Sequence, residues 1–345
     1  MPRIDELQTI GRQGLTVSRM GLGCACLGNL GSRVDQQDVH DTVAAVWEAG
    51  VRYFDTAPLY AYGLSETRIG AALSRYNRDE LVISTKVGQM LVPYTPGPSD
   101  PKRDAAIPPF INEFDYSRDA VQRSIEGSLE RLQTDRIDIV LIHDPDGGVS
   151  VEQDADPYSS SHFDQVMAEA YPMLDDLRSQ GVIKALGAGM NQWQMLHDFA
   201  LAGDFDCFLL AGRYTLLEQD SLHTLLPVCL EKGIRIILGG PFNSGILATG
   251  AVEGATYSYK PAPPQVMQRV SRIEAVCARH DVPLAAAALQ FPFGHPAVAT
   301  IIPGMESVAK VHANVQHMQH PIPADLWAEL KSESLLDGDA PLPGA

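Results

Sequence analysis

Basic charge is what this chain has least of. It carries 26 lysines and arginines against 43 aspartates and glutamates, a net charge of −17 over 345 residues. Nucleic acids and anionic membranes are bound through basic surface, so neither is an expected partner. Long apolar runs are missing too. No stretch is long enough to span a bilayer, and the opening Met-Pro-Arg-Ile-Asp-Glu has no apolar region behind it of the kind a secretory leader carries. Cysteine is scarce: the 5 present cannot all pair, and their spacing resembles no disulfide framework. Cys24-Ala25-Cys26 is too close-set for a zinc knuckle, and no second Cys/His pair completes one. Reduced thiols in a cytoplasmic protein without a metal are therefore expected.

The common nucleotide signatures are absent as well. Gly21-Leu22-Gly23-Cys24-Ala25-Cys26 and Gly187-Ala188-Gly189-Met190-Asn191-Gln192 both lack the third glycine of a Rossmann turn, and no P-loop occurs. Gly239-Gly240-Pro241-Phe242-Asn243-Ser244-Gly245 follows a strand-like run and is supple enough to wrap a pyrophosphate, but many loops look like this.

What is present is alternation. Hydrophobic residues make up 45% and charged residues 20%, which fits a globular chain with a large core. Residues 8–18 read as a hairpin and Gly21-Leu22-Gly23 as a short strand. A helix over 35–49 has Val39, Val43 and Val46 at helical spacing and stops at Gly50. Strands at 53–55, 81–86, 137–142, 184–188, 205–210, 234–238 and 298–302 then alternate with helices. Those helices lie at 65–73, up to 180, at 117–132, 192–201, 221–232, 264–280, 284–291, 307–318 and 324–335, with Ser65 as an N-cap. Strict alternation implies a parallel sheet with right-handed crossovers, and eight units are enough to close it. The expected fold is α/β: a (β/α)8 TIM barrel with an N-terminal hairpin and extra helices. Long loops at 88–116, 144–161 and 239–263 follow the third, fourth and seventh strands and so wall the catalytic face. Residues 1–345 read as a single domain, with a loose tail at 336–345.

Three of these strands end in polar residues: Asp55, Lys86 and His143, with Tyr60 just beyond the first. A strand as apolar as Leu81-Val82-Ile83-Ser84-Thr85-Lys86 rarely ends in lysine without a buried partner. A free phenol has a pKa of about 10 and is a poor acid or base at neutral pH. A nearby ammonium lowers it, and a carboxylate at Asp55 would hold that ammonium charged. An imidazole at His143 would orient the substrate oxygen. Proton transfer coupled to hydride transfer needs this combination, and positioned acid/base groups are worth about 10²–10⁴ in rate. Taken singly, Asp55 could cap a helix, Tyr60 could pack on the surface and His143 could be a core histidine. Four such residues at one barrel face make coincidence the weaker reading.

Phe54-Asp55-Thr56-Ala57-Pro58-Leu59-Tyr60, Ile83-Ser84-Thr85-Lys86-Val87-Gly88, Asp138-Ile139-Val140-Leu141-Ile142-His143 and Ile302-Pro303-Gly304 together resemble the aldo-keto reductase signature, in the family's order. The resemblance implies a barrel that binds NAD(P)H without a Rossmann fold, and a tetrad of Asp55, Tyr60, Lys86 and His143. It also implies cofactor contacts at Gly23, Cys24, Asp55, Asn191, Gly239, Asn243, Ser244, Gly245, Leu247, Gly304, Lys310 and Asn314. Departures stand out. Asn191 is displaced by a residue from the usual Ser-Asn. Ala211 replaces the usual glutamine, and Gly239 replaces the tyrosine that stacks on nicotinamide, so something else must cover that ring. Near the 2′-phosphate position only Lys310 is cationic, beside Gly304 and Met305. A phosphate needs several cationic donors. NAD is thus the preferred cofactor, with NADP possible.

Further segments, among them Ile142-His143-Asp144-Pro145-Asp146 and Leu210-Ala211-Gly212-Arg213-Tyr214, resemble a bacterial sugar dehydrogenase branch of D-threo-aldose 1-dehydrogenase or L-fucose dehydrogenase type. Pyridoxal 4-dehydrogenase and plant L-galactose dehydrogenase are similar. The implied reaction oxidises the anomeric hydroxyl of an aldose such as L-fucose, D-arabinose or L-galactose to a lactone. Tyr60, His143 and Asp144 would contact the sugar. Asp146, Asp154 and Asp156 read mostly as solvated loop acids. The expected partner is a small sugar or cyclic hemiacetal, and the expected assembly a monomer or small homo-oligomer. Rival readings are a general aldehyde or ketone reductase, a nucleotide-binding redox-sensing subunit, and a metal-dependent hydrolase using His143, Asp144 and Asp146.

Overall fold

The computed structural model describes residues 3–29, 33–95, 97, 105–148, 156 and 158–344. Eight parallel strands form one sheet. They are β1 (Leu22–Gly23), β2 (Tyr53–Asp55), β3 (Val82–Val87), β4 (Ile139–His143), β5 (Ala185–Met190), β6 (Cys207–Ala211), β7 (Arg235–Gly239) and β8 (Val298–Ile302). Each pairs with its predecessor in the chain. The ends meet through bridges Met20–Ile301 and Gly23–Gly304, and Gly21 N donates to Ile301 O at 2.8 Å, so the sheet closes into the expected (β/α)8 barrel. Gly23 has to be glycine at this seam, because a Cβ there would lie 2.7 Å from the Ile302 carbonyl oxygen.

Side chains alternate across each strand. Tyr53, Val82, Ile139, Leu141, Ala185, Cys207, Leu209 and Ile237 point inward and form one apolar cluster. Phe54, Ile83, Val140, Ile142 and Leu186 point outward into the larger layer under the helices. Ile10 and Val17, from the hairpin Leu7–Ile10/Leu15–Ser18, join the inward cluster and plug the N-terminal mouth. That leaves the C-terminal mouth open. Polar groups on outward faces are paired. Thr85 Oγ1 donates to the buried Glu66 at 2.6 Å, and Arg131 Nε reaches the other Glu66 oxygen at 2.6 Å. Strand β3 is thereby tied to helices Leu64–Leu73 and Arg118–Leu132.

Helix Gln36–Glu48 begins with a capping box between Asp35 and Asp38 and buries Val39, Val43 and Val46. Gly50, at φ +86°, follows its end as expected. Ser65 is not the N-cap. That position is Gly63, and the Ser65 hydroxyl is turned inward to donate to Cys24 O at 2.8 Å. The helix ahead of residue 180 is interrupted by a π-turn over Val166–Ala170, next to Pro172, which has no N–H to give.

Two loops have structure that their Gly/Pro content hid. Residues 88–116 contain an antiparallel hairpin, Gln89–Pro93 against Phe110–Phe114. Residues 239–263 contain a short helix Ile246–Thr249 and a small hairpin, Thr256–Tyr257 against Lys260–Pro261. The tail is not loose. Leu336 and Ala340 are buried, Lys331 Nζ donates to Gly338 O at 2.7 Å, and His223 meets Asp337 at 2.9 Å. The apolar spacing Leu335, Leu336, Ala340 explains this, since it lets the segment pack back on the barrel's helical layer. Among the described residues no helix is long and apolar enough to cross a membrane. All 5 cysteines are free thiols, and Cys24, Cys207, Cys229 and Cys277 are buried.

Candidate active site

Period-two alternation carries Asp55, Lys86 and His143 to the inside of the barrel, each at the C-terminal end of its strand. Asp55 and Ser84 are cross-strand neighbours, and Ser84 Oγ donates to Asp55 Oδ1 at 2.6 Å. Lys86 Nζ donates to Asp55 Oδ2 and to Thr56 O, both at 2.8 Å. The ammonium is 1% exposed and its carboxylate partner 2%. Tyr60 arrives from the turn after β2, where Ala61, Tyr62 and Gly63 all take left-handed backbone and reverse the chain. The Lys86 ammonium sits 4.6 Å from the Tyr60 ring centroid. The His143 ring meets Tyr60 edge-on at 5.8 Å. Gly189 faces this group from β5, and a Cβ there would crowd Leu209 at 3.3 Å and touch Lys86 Cε at 3.8 Å.

Burial works against the Lys86 charge, but Asp55 and then Tyr60 outweigh it and hold the ammonium above its ordinary value. Tyr60 departs from the sequence-based expectation. Burial raises its pKa above that of a free phenol by more than Lys86 lowers it. The phenol is therefore protonated at neutral pH, and the neighbouring ammonium restrains a larger rise. Burial, then Lys86, pushes His143 well below the usual imidazole range, so the ring is neutral. Its Nδ1 is buried and unpartnered among the described residues, while Nε2 lies 3.6 Å from Asp144 Oδ2. A neutral imidazole carries one proton. The adjacent carboxyl favours that proton on Nε2, which makes His143 a donor toward the cavity. Asp144 itself is pushed up to about 7, by burial first and then by Asp146, against the pull of Lys86 and Gln89.

These groups line a cavity of about 480 Å³, within the size range of small-molecule sites. Ala25, Leu59 and Ala61 supply apolar wall, whereas Asp144 and Asp146 supply acidic wall. A second concavity joins it through Asn191, Ala211, Ser258 and Tyr259 and continues past Gly212, Arg213, Gly240, Asn243 and Ser244. This concavity is shallow, about 30 Å³, and its floor is a run of left-handed backbone at Gly240, Asn243 and Ser244; the Arg213 guanidinium beside it is directed at Glu218, 3.7 Å away.

The other sequence-based site residues fall into two sets. Asn191 reaches both concavities, and its Nδ2 donates to Ala211 O at 3.2 Å. Gly23 and Gly304 are bridged at the barrel seam, and Cys26 rather than Cys24 is the thiol nearest Gly304. Gly239 ends β7 and is buried, and Ser244 Oγ accepts from Tyr259 N at 2.9 Å. Gly245 caps the Ile246–Thr249 helix. Lys310 is exposed and its ammonium is engaged by Glu306, and Asn314 is buried in helix Val308–Gln319. Three are committed elsewhere. Cys24 is fully buried with its thiol on Leu22 O. Leu247 is packed in the core and its N–H bonds Phe242 O at 3.1 Å. The Asn243 side chain is used structurally, accepting from Thr215 Oγ1 at 2.6 Å and donating to Gly212 O at 3.0 Å. Asp146 lines the cavity instead of being solvated, Asp156 is exposed, and Asp154 lies outside the described residues. Among the described residues the one metal-like group is His223, Asp337 and Asp339, and none of these lines the catalytic cavity.

Gln89, Ser258, Tyr259 and Lys260 stand in no sequence motif that marks them as site residues, and Arg213 stands only within a segment of resemblance. Ser258 and Tyr259 form a two-residue turn with φ +47° and +63°, and the turn holds them at the edge of both concavities. The alternating polar and aromatic run Thr256-Tyr257-Ser258-Tyr259-Lys260 was the available signal.

A sequence profile of the aldo/keto reductase family matches residues 19–334. The chain belongs to this family. Pyridoxal 4-dehydrogenase from Microbacterium luteolum is 38% identical over 97% of this chain and 99% of its own length. D-threo-aldose 1-dehydrogenase from Pseudomonas sp is also 38% identical, over 94% of this chain and 96% of its own. The holo form of aldo-keto reductase AKR11C1 from Bacillus halodurans superposes with a TM-score of 0.73 at 24% identity, covering 97% of both chains, which supports the fold. Aldo/keto reductases are oxidoreductases that use nicotinamide cofactors.

Proposed function

We propose that this aldo/keto reductase oxidises the anomeric hydroxyl of an aldose to the lactone, with NAD(P) as the acceptor. The observation that carries the reading is the buried Lys86–Asp55 pair beneath Tyr60, beside a neutral His143, at the floor of a cavity with acidic wall. When bound, the nicotinamide supplies the acceptor for the C1 hydrogen and its electron pair. His143 Nε2–H holds the reacting oxygen. Tyr60 Oη takes the hydroxyl proton as the C1–O bond becomes a carbonyl; because burial keeps the resting phenol protonated, its own proton must first pass to solvent, and Lys86 stabilises the phenolate this leaves. Asp55 and the Thr56 carbonyl hold Lys86 in place and charged. Asn191 and the turns at Gly240 to Gly245 would hold the dinucleotide. NAD is preferred over NADP, because the Lys310 ammonium is already engaged by Glu306 and a 2′-phosphate would face that carboxylate. The chain would act as one catalytic domain in the cytoplasm, on a small molecule and without nucleic acid or membrane.

A second substrate has equal support from the relatives. The cyclic hemiacetal of pyridoxal presents the same C–H and O–H to the tetrad, and the pyridoxal dehydrogenase matches this chain as closely as the aldose enzyme. One panel tests both: L-fucose, D-arabinose, L-galactose, L-rhamnose and pyridoxal, each with NAD and with NADP, read by absorbance of the reduced cofactor. Turnover of a sugar with NAD supports the first reading. Turnover of pyridoxal alone transfers the assignment to the second. No turnover with any of them, despite dinucleotide binding, returns the redox-sensing alternative.

A further inference from the structure

The acid beside His143 is aimed from outside the barrel strands. Asp144 follows β4 with φ +44°, which turns its side chain back over the barrel mouth, where it lines the catalytic cavity. Its Oδ2 accepts from Gln89 Nε2 at 3.0 Å. Gln89 is 3% exposed, and its own oxygen accepts from Asn112 Nδ2 at 2.8 Å. The two bonds fix which way the Gln89 amide faces, since its oxygen is taken by Asn112 and only its NH2 can meet Asp144. Gln89 and Asn112 stand on opposite strands of the hairpin Gln89–Pro93/Phe110–Phe114, outside the tetrad. Asp144 Oδ1 has no hydrogen-bond partner among the described residues. A carboxyl oxygen facing a cavity beside a buried, fully directed partner oxygen is a site for a hydroxyl.

Which hydroxyl follows from spacing. His143 Nε2, the donor to the reacting oxygen, is 3.6 Å from Asp144 Oδ2. Oδ1 belongs to the same carboxyl, so a donor and an acceptor stand side by side at the cavity wall, a spacing that suits two oxygens on adjacent carbons. We propose that Gln89 and Asn112 are positioning residues that aim Asp144 at the hydroxyl on the carbon next to the reacting one, so the enzyme selects hemiacetals bearing a vicinal hydroxyl. This rests on the aldose reading and narrows it to 2-hydroxy aldoses. The hemiacetal of pyridoxal has no hydroxyl on the adjacent carbon and would forgo the contact. The carboxyl's raised pKa, about 7, supports such a role, because either protonation state can hydrogen-bond a hydroxyl.

The test compares the best sugar of the panel with its 2-deoxy counterpart, on wild type, Gln89→Leu and Asn112→Leu. A hydrogen bond between a substrate hydroxyl and a charged group is worth about 10–100-fold. Wild type should favour the 2-hydroxy sugar in kcat/KM by that factor. Gln89→Leu should bring the ratio to within about threefold of one, chiefly through KM, and Gln89→Asn should restore part of it. Asn112→Leu, further from the cavity and easier to accommodate in the fold, should move the ratio the same way by less. Equal use of both sugars by wild type overturns the proposal and leaves the aldose reading standing. So does a Gln89→Leu enzyme that loses activity on both sugars alike. Failure of wild type to oxidise any sugar overturns both.

Discussion

Replacing Asp55 with Asn tests the electrostatics at the base of the site. The side chain keeps its volume. Its oxygen can still accept from Lys86, and its amide can donate to Ser84 Oγ, so only the charge is removed. Lys86 is 1% exposed, and its ammonium donates to Asp55 and the Thr56 carbonyl, with Tyr60 as a further partner. Stripping one charge from a buried pair costs about 3–5 kcal/mol, and the retained neutral bonds put the expectation near the lower end, about 3 kcal/mol. The pH dependence carries a sign. In wild type the folded-state pKa of Lys86 is above its ordinary value, so its stabilisation is complete below the ordinary value of 10.5 and fades only as pH rises through the folded value. In Asp55→Asn, burial is no longer opposed by a carboxylate, and the folded value drops below the ordinary one. The variant's penalty is then full at neutral pH and is relieved as pH climbs toward the ordinary value. Urea unfolding followed by ellipticity at neutral pH and at about pH 10 measures both effects. A gap of about 3 kcal/mol that narrows on the alkaline side is expected. A variant within about 0.5 kcal/mol of wild type at neutral pH, or a gap that does not change with pH, would refute the claim that this carboxylate sustains a buried charge.

Tyr60→Phe should reduce turnover by about 10²–10⁴ while dinucleotide affinity, measured by fluorescence titration, changes little; near-wild-type turnover would remove Tyr60 from proton transfer. Asp144→Asn should stabilise the fold above neutral pH. The carboxyl ionises at about 7 in the folded chain, against an ordinary 3.8, so between those values the folded state holds the extra proton and stability falls as pH rises. Denaturation midpoints of wild type should fall across that window relative to the variant, corresponding to on the order of 2–4 kcal/mol, and parallel curves would count against it. Glu306→Gln should raise the NADP-to-NAD ratio of kcat/KM by about tenfold by freeing Lys310 from its carboxylate partner, a change of about 1.4 kcal/mol; an unchanged ratio means the 2′-phosphate does not meet this pair.

The chain's residues by themselves determined the barrel and the tetrad. Much of both is written in short-range pattern: runs such as Ile139-Val140-Leu141-Ile142-His143, short and β-branched, read as buried strands, and a two-residue period sends Ile139, Leu141 and His143 to one side. Only the tertiary structure decided the rest. The hairpin Gln89–Pro93/Phe110–Phe114 forms because two segments far apart along a polar loop find each other, and no local periodicity announces such pairing. The tail packs because Leu336 and Ala340 find apolar surface supplied by distant helices. Leu247 and Cys24 sit in plausible motifs, yet packing turned both into the core. The direction of the Tyr60 shift was likewise a tertiary matter. Sequence could place an ammonium near the phenol, but burial is set by every element around the barrel mouth, and here it is the larger effect.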